Sequence, residues 1–163
     1  MLQLDVDEVV EPGEVKATRE VIRHPGSVVV IPHLADGRIV LVRQYRHAAQ
    51  QSLWELVAGS LKRGEKPLKA ARRELVEETG YRARSVRLLF DFYPSPGFLT
   101  ERMFVVEARG LTAAQAEPEE DECIEVGRFA PAEIRRMLRA GKIRDGKTLA
   151  GLLWVYYFNN EHS

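Results

Sequence analysis

The chain of 163 residues is long enough for one folded unit with a sizeable core, since 45% of its residues are apolar. Its 24 lysine and arginine residues balance 24 aspartate and glutamate residues, so no overall charge draws it to nucleic acid or to an anionic membrane. The longest apolar run, residues 149–158, is about half a membrane span. The N-terminus lacks the basic and apolar blocks of a signal peptide. We therefore expect a single domain over residues 1–163, located in the cytoplasm.

Two strands at the N-terminus form a predicted β-hairpin. Residues 2–10 alternate partly between apolar and polar, a proline and a glycine at positions 12–13 interrupt them, and residues 14–23 resume the pattern. Two strands alone bury little apolar surface and commonly need a partner surface. We therefore predict that residues 1–23 form a dimerisation element and that the protein is a homodimer.

The following segments are typical of the strands of a sheet core. Residues 27–32 are apolar on both faces, which favours a central strand. Residues 38–45 form the next predicted strand after a turn at residues 36–37, and residues 52–58 form a third that leads directly into Gly59. Downstream, we predict strands over residues 86–93, 103–108 and 123–129 and helices over residues 131–140 and 147–159.

The apolar faces of two predicted helices indicate which sides are buried. One helix occupies the second half of residues 59–81, and the other is the last helix of the chain. Residues three and four apart share a face of a helix. The expected core residues on these two helices are Leu68, Ala71, Leu75, Leu149, Leu152, Leu153, Tyr156 and Tyr157.

The first of these helices carries three glutamates on one flank. Glu74, Glu77 and Glu78 are spaced at i, i+3 and i+4, so they share one turn. That turn is the last before Gly80, a typical helix C-cap, where the negative end of the helix dipole adds to their repulsion. A bare run of this kind is usually a solvated acidic face. A hard divalent cation with oxygen ligands would also balance the charge, and Mg²⁺ needs only one to three carboxylates and some waters.

The wider spacing favours the metal-binding interpretation. The stretch matches G-x5-E-x7-R-E-x-x-E-E-x-G at every defined position, and it resembles the Nudix box, the signature of hydrolases that use a divalent metal to cut a nucleoside diphosphate linked to another group. The resemblance implies an α/β (α+β) fold, an α/β/α sandwich with a mixed sheet, to which the N-terminal hairpin is added. Tyr81, Val57 and Lys62 depart from the usual residues without removing an expected metal ligand. The defined positions are Gly59, Glu65, Arg73, Glu74, Glu77, Glu78 and Gly80.

The same resemblance implies a set of metal ligands and catalytic residues. Mg²⁺ (or Mn²⁺) is the expected cofactor, held by Glu74, Glu78 and the backbone carbonyl of Ala58, since hard metals accept backbone oxygens. Glu77 and Glu122 are expected to complete the set. Arg73 is expected to orient the carboxylates rather than to touch substrate.

An acidic connection over residues 110–122 supplies two further candidates. An acidic run of this kind is usually a mobile, solvated loop. Related hydrolases carry catalytic carboxylates here, and the resemblance gives Glu120 the position of a general base and Glu122 that of a metal ligand. This alignment leaves room for a shift of one or two residues.

A second resemblance narrows the substrate. The loop Ser95-Pro96-Gly97-Phe98, followed by Glu101, looks like the mark of ADP-ribose pyrophosphatases within the Nudix family. On that resemblance Ser60, Ser95 and Glu101 contact substrate. Arg46, at the end of the second core strand, is expected to grip phosphate with its forked guanidinium. The likeness as a whole runs from about residue 24 to residue 151.

The activity implied is hydrolysis of a nucleotide-linked diphosphate, with ADP-ribose cut to AMP and ribose 5-phosphate. The expected partner is thus a small-molecule nucleotide, with no nucleic acid and no membrane. Two alternatives stay open. One is a Nudix enzyme for another substrate, such as a different nucleoside diphosphate sugar, FAD or a damaged nucleotide. The other is a catalytically inactive nucleotide-binding module, which would have no need for the intact set of glutamates.

Overall fold

The computed structural model describes residues 3–115 and 123–158. Within these ranges, no helix is long and apolar enough to cross a membrane. The strands and helices are, in chain order, β1 (Gln3–Glu11), β2 (Val15–Arg23), β3 (Ser27–Pro32), β4 (Ile39–Arg46), β5 (Gln51–Glu55), β6 (Val57–Ser60), α1 (Pro67–Thr79), β7 (Tyr81–Phe92), β8 (Met103–Ala113), β9 (Glu125–Phe129), α2 (Pro131–Arg139) and α3 (Gly146–Phe158).

The strands form a mixed sheet system, as expected. A four-stranded sheet has the order β6-β3-β8-β7, and a three-stranded sheet has the order β5-β4-β9. Strands β3 and β8 pair in parallel, whereas the other neighbours in both sheets pair antiparallel. β1 and β2 form the predicted hairpin as a separate two-stranded sheet.

Strand β3 divides the core into two layers, because successive side chains of a strand point to opposite faces. Val28 and Val30 belong to a buried cluster on the α1 side, whereas Val29 and Ile31 belong to a second cluster on the α2 and α3 side. All four are fully buried. The sheets therefore lie between α1 on one face and α2 with α3 on the other, which confirms the α/β/α sandwich. The helical residues in the two clusters are Ala70, Ala71 and Leu75 from α1, Ile134 and Met137 from α2, and Leu152 and Val155 from α3.

The prediction of one strand over residues 52–58 was wrong, because the segment is two strands in different sheets. β5 ends at Glu55 and β6 begins at Val57. Between them Leu56 donates its backbone N–H to Thr148 Oγ1, at 2.8 Å, instead of to a neighbouring strand. Its side chain is 1% exposed and belongs to the α3-side core. The chain thus crosses from the three-stranded to the four-stranded sheet at this residue.

Three residues predicted to be in the core are exposed instead. Leu68 is 40% exposed, Leu153 53% and Tyr157 77%. On α1 the buried stripe runs through Ala70, Ala71 and Leu75, because small residues let this helix approach the sheet closely. The strands β7 and β8 also extend beyond their predicted bounds, since they pair along almost their whole length, from Tyr81 with Ala113 to Phe92 with Met103.

The hairpin is joined to the loop between β7 and β8. Ile22 forms a backbone bridge with Leu99, donates its N–H to the carbonyl of Phe98 at 2.7 Å and accepts the N–H of Thr100 at 3.0 Å. The end of β2 and the loop that leads to Glu101 are therefore held together by main-chain hydrogen bonds.

Candidate active site

A cavity of about 540 Å³ lies where β6, α1 and the loop before β8 meet. It brings together seven of the residues predicted from the sequence to bind metal or substrate, together with Arg73. Ala58 and three glutamates are the predicted metal ligands in the lining, and Arg46, Ser60 and Glu101 are the predicted substrate contacts. The full lining is His24, Ser27, Arg46, Ala58, Gly59, Ser60, Leu61, Lys62, Arg73, Glu74, Glu77, Glu78, Glu101, Met103 and Lys147.

Helix α1 presents its acidic flank to this cavity. Pro67 begins the helix, and Gly80 ends it in the left-handed conformation at φ 66°, with its N–H bonded to the carbonyl of Val76 at 2.9 Å. The buried stripe of small residues and Leu75 fixes the helix on the sheet. Glu74 and Glu78 lie on the adjoining face and are only 8% and 9% exposed, so two carboxylates are held in a mostly covered position.

Arg73 holds the acidic flank together. Its Nη1 donates to Glu74 Oε1 at 2.6 Å and to Glu77 Oε2 at 2.9 Å. Its Nε and Nη2 donate to the two carboxylate oxygens of Glu65 at 3.2 and 2.9 Å, and Nη2 also donates to the carbonyl of Ser60 at 3.2 Å. A guanidinium has five N–H donors, and these contacts use them all. The geometry suits an orienting role and leaves no donor for substrate.

This network changes the acid–base properties of its members. The hydrogen bonds from Arg73 lower the pKa of Glu65 to about 2, against the opposing effect of burial. The pKa of Arg73 is raised, mainly by its hydrogen bonds to Glu65 and also by Glu74 and Glu77. Both groups are therefore charged at neutral pH, and the loop before α1 is fastened to the helix by an ion pair.

Strand β6 contacts the glutamates through its backbone. The N–H of Ala58 faces Glu78 Oε1 at 3.4 Å. The N–H and C=O of one strand residue project to the same side, so the Ala58 carbonyl is directed toward the same flank. Next to it, a Cβ on Gly59 would overlap the carboxylate of Glu74. Because Gly59 has no side chain, the carboxylate of Glu74 can approach the backbone of β6 there.

The donor set suits a hard divalent cation. Within residues 3–115 and 123–158, no three histidine, cysteine, aspartate or glutamate side chains are placed to hold a metal on their own, and Glu77 is bonded to Arg73 instead. Mg²⁺ nevertheless needs only one to three carboxylates, with carbonyls and waters as further ligands. Glu74, Glu78 and the Ala58 carbonyl supply such a set of oxygens.

A buried carboxylate, Glu55, joins two cations of the cavity lining, Arg46 and Lys147. Arg46 donates to it twice, from Nε at 2.8 Å and from Nη2 at 2.7 Å, and Lys147 Nζ lies 2.5 Å from Oε2. Glu55 is 1% exposed. Lys147 also reaches Asp145 Oδ1 at 3.0 Å. The fork of Arg46, which was expected to hold phosphate, thus holds Glu55, and only its remaining N–H groups point elsewhere.

The charge of Glu55 is maintained by these cations. Burial by itself raises the pKa of a carboxyl, but the hydrogen bonds from Arg46 and the charge of Lys147 outweigh it, so the pKa of Glu55 is lowered. The hydrogen bonds to Glu55 in turn raise the pKa of Arg46. Glu55 consequently holds Arg46 and Lys147 as a fixed pair of cations in the cavity lining.

Other predicted substrate contacts are only partly brought to the cavity. Glu101 is 9% exposed and accepts a hydrogen bond from Ser27 Oγ. Ser60 lines the cavity at the end of β6. Ser95 does not belong to the cavity lining, and its carbonyl instead closes the loop by accepting the N–H of Leu99 at 3.1 Å. Glu120 and Glu122 lie outside the described residues, so their predicted roles stay predictions.

Sequence reasoning missed His24, Ser27 and Lys147, which line the cavity, and Glu55, which binds Lys147. Glu55 carried one signal, since it is a charged residue inside an apolar strand segment. Lys147 carried another, since a cation in the first turn of a helix opposes the helix dipole and calls for an acidic partner. His24 and Ser27 carried no local signal, because their contacts to Glu101 join positions more than 70 residues apart.

Three curated relatives are similar to nearly the whole chain. The ADP-ribose pyrophosphatase of Bacillus subtilis (strain 168) is 34% identical, covering 95% of this chain and 85% of the relative. The ADP-ribose pyrophosphatase of Mycobacterium tuberculosis is 38% identical, covering 92% and 74%. A GDP-mannose pyrophosphatase of Escherichia coli (strain SMS-3-5 / SECEC) is 36% identical, covering 88% and 82%.

A solved structure has the same fold. It is described as the crystal structure of an ADP compounds hydrolase, and it superimposes with a TM-score of 0.82 over 99% of this chain and 96% of its own, at 21% identity. The family model of the NUDIX domain matches residues 23–152, which include every residue that lines the cavity. The chain therefore belongs to the NUDIX family and is a Nudix pyrophosphohydrolase, a class in which a divalent metal ion takes part.

Proposed function

We propose that this protein hydrolyses ADP-ribose to AMP and ribose 5-phosphate. The observation that carries the proposal is that carboxylates and cations line one cavity together. The lining includes Glu74, Glu77 and Glu78 as well as Arg46 and Lys147. A diphosphate with a divalent cation needs oxygen ligands for the cation and cationic groups for the phosphate oxygens. The relatives named ADP-ribose pyrophosphatase support this choice of substrate.

Mg²⁺ or Mn²⁺ is the proposed cofactor, with Glu74, Glu78 and the Ala58 carbonyl as the ligands within the described residues. When bound, such a cation neutralises the phosphate oxygens that gain charge in the transition state. Arg73 keeps Glu74 in position through the hydrogen bond from Nη1. Glu122 is proposed as a further ligand, and Glu77 as one that would exchange its bond to Arg73 for the cation.

The reaction adds one water across the diphosphate. The water oxygen forms a bond to one phosphorus while the bond from that phosphorus to the bridging oxygen breaks, and the bridging oxygen leaves with the other phosphate. One proton of the water is lost as it attacks. We propose Glu120 as the acceptor of that proton, because the box glutamates that bind metal are less basic.

The two cations held by Glu55 would bind the diphosphate. Lys147 is held by Glu55 and Asp145, and Arg46 is held along Glu55, so neither cation has to be ordered when substrate arrives. Pre-organised groups lose less entropy on binding than flexible ones. Glu55 thus positions the two cations that would bind substrate, although its own negative charge does not attract the diphosphate.

GDP-mannose is the second candidate substrate, since one relative is named for it at similar identity. It contains the same diphosphate, so it also needs oxygen ligands for a divalent cation and cationic groups for its phosphate oxygens. It differs in its base and sugar. The choice between ADP-ribose and GDP-mannose would therefore be made by groups outside the charged part of the cavity.

The test is a turnover panel with Mg²⁺ and with Mn²⁺ over ADP-ribose, GDP-mannose, FAD and nucleoside triphosphates, with nucleotide products separated by chromatography. We expect AMP from ADP-ribose at the highest kcat/KM. A higher value for GDP-mannose would move the assignment to that substrate, and pyrophosphate release from triphosphates would move it to nucleotide clearance. Glu78→Gln is the inactive reference, and Glu133→Gln, on α2 and outside the cavity lining, is its matched control.

We also propose that the protein is a homodimer assembled through its hairpin. Leu4, Val6 and Val10 alternate along β1, so they share one face, and each is about two thirds exposed, at 67%, 65% and 68%. Exposed apolar patches of this kind commonly mark protein interfaces. The cytoplasmic location and the absence of nucleic-acid and membrane partners stay predictions from the sequence.

A further inference from the structure

His24 has no assigned role, yet it connects three parts of the cavity. It lies between β2 and β3, its side chain is 12% exposed, and it lines the cavity beside Ser60 and Glu101. Its backbone N–H donates to Thr100 Oγ1 at 2.9 Å, and its carbonyl accepts from the same hydroxyl at 3.3 Å. The backbone of His24 is therefore fixed by the side chain of Thr100.

The hydrogen bonds of the ring determine where its proton lies. The backbone N–H of Gly26 points at Nδ1, at 3.1 Å. A neutral imidazole has one N–H donor and one acceptor nitrogen. Because Nδ1 is the acceptor for Gly26, the ring proton belongs on Nε2. Glu101 Oε1, 3.6 Å from Nδ1, already accepts the hydroxyl of Ser27.

The proton on Nε2 in turn directs the hydroxyl of Ser60. Nε2 lies 3.3 Å from Ser60 Oγ, so this oxygen accepts the hydrogen bond and keeps its own hydrogen for another acceptor. The Ser60 backbone is fixed as well, because its carbonyl accepts from Arg73 Nη2 at 3.2 Å. Ser60 is exposed and lines the cavity.

We propose that His24 is a positioning residue that makes the Ser60 hydroxyl a hydrogen-bond donor to an oxygen of the substrate diphosphate. The inference rests on the proposed hydrolysis of a nucleoside diphosphate compound. Among the carboxylates of the lining, Glu74 and Glu77 accept from Arg73 and Glu101 accepts from Ser27. A diphosphate oxygen is an acceptor without a proton of its own. A serine whose donor direction is fixed in advance adds affinity for the substrate without entering the bond-breaking step.

Two substitutions at position 24 separate the two ring nitrogens. His24→Asn keeps an acceptor near the position of Nδ1 and removes the donor to Ser60, whereas His24→Gln places an amide N–H near the position of Nε2. We expect His24→Asn to raise KM about 2- to 12-fold, the range of one neutral hydrogen bond, with kcat within about twofold. His24→Gln is expected to restore most of the lost affinity. An equal fall of kcat in both variants would overturn the inference.

A double-mutant cycle tests whether His24 acts through Ser60. Ser60→Ala removes the hydroxyl, so adding His24→Asn to it should raise KM no further. If the two changes multiply instead, His24 acts by another route. Kinetics are measured with whichever of ADP-ribose and GDP-mannose the wild-type protein hydrolyses faster, and thermal melting confirms that each variant is folded.

A spectroscopic measurement does not depend on turnover. Long-range ¹H–¹⁵N NMR spectra of the wild-type protein report which ring nitrogen is protonated, and the signal is assigned by its loss in His24→Asn. At neutral pH we expect the proton on Nε2. A proton on Nδ1 overturns the inference, even if the enzyme is active. If the proton is on Nε2 but no substrate of the panel is hydrolysed, the proposed function is overturned instead.

Discussion

Arg73 binds Glu65 with two hydrogen bonds at once, Nε to Oε1 at 3.2 Å and Nη2 to Oε2 at 2.9 Å. The pair joins the loop that precedes α1 to the middle of that helix. The remaining donors of the same guanidinium hold Glu74, Glu77 and the Ser60 carbonyl. One arginine thereby sets the position of the loop and of the acidic flank together.

The first prediction follows from this geometry. Arg73→Lys keeps the positive charge but provides three donors from one atom in place of a planar fork. We expect weaker Mg²⁺ binding, because Glu74 is less well held, and a loss of about 1–3 kcal/mol in the free energy of unfolding from unsatisfied partners. Metal titration and urea unfolding measure both. Arg63→Lys, on the exposed part of the loop, is the control, and unchanged metal affinity in Arg73→Lys would contradict the orienting role.

The second prediction concerns Glu78. Glu78→Gln keeps the shape and an oxygen for the Ala58 N–H but removes the charge needed by a cation. We expect kcat to fall by more than about 10²-fold, since even outer-shell partners of a metal cost 10–100-fold. The melting temperature should be unchanged or slightly higher, because one of three repelling charges is gone. Near wild-type turnover with Mg²⁺ would show that Glu78 is not a metal ligand.

The third prediction concerns the acidic segment that precedes β9. Glu120→Gln should lower kcat by about 10²-fold or more, a typical contribution of a general base, with little change in metal affinity. Glu122→Gln should instead weaken metal binding. The reverse pattern would mean that the two roles are exchanged. If neither change reaches tenfold, the segment is a solvated acidic turn.

The fourth prediction concerns pH and a buried histidine away from the cavity. In the described part of the chain, His33 Nε2 has no hydrogen-bond partner and lies 3.5 Å from Glu107 Oε1, and that carboxylate accepts from Arg109 at 2.7 Å and from Arg87 at 3.2 Å. Burial, helped by the charge of Arg109, lowers the pKa of His33 below its ordinary value of 6.5, against the opposing effect of Glu107.

The imidazole of His33 therefore binds a proton more readily in the unfolded chain than in the folded one. The stabilising contribution of neutral His33 is present above pH 6.5 and is lost as pH falls through the lower folded-state pKa. Urea unfolding should show a free energy that decreases as the pH falls below 6.5. His33→Asn should flatten that decrease, whereas His47→Asn, at an exposed position, should not. The same slope in His33→Asn and wild type would exclude this histidine as the cause.

The fifth prediction tests the hairpin interface. Val6→Asp places a charge at a position that is 65% exposed in one copy of the chain, so the fold should be retained while dimerisation weakens. Sedimentation velocity at micromolar concentration measures the effect. Leu153→Asp, at 53% exposure on α3, is the matched control for an added charge. A wild-type protein that sediments as a monomer would refute the homodimer.

Local patterns were sufficient to predict the acidic helix and most of the fold. The spacing of Glu74, Glu77 and Glu78 and the C-cap at Gly80 depend on contacts within two helical turns, so they are visible in the sequence. The break at Leu56 is not, because it depends on Thr148, which lies 92 residues away. Glu55 and Lys147 are joined over the same separation. Long-range pairs of this kind complete the cavity, and neither periodicity nor composition contains them.

The absence of a side chain at position 59 determines which substitutions the site tolerates. Gly59 does not have a positive φ, so its backbone conformation is open to other amino acids, and the space is filled by the carboxylate of Glu74. A methyl group there would push aside a side chain rather than the sheet. In a library of variants selected for folding, alanine should persist at position 59, and in the same library selected for catalysis, glycine alone should remain.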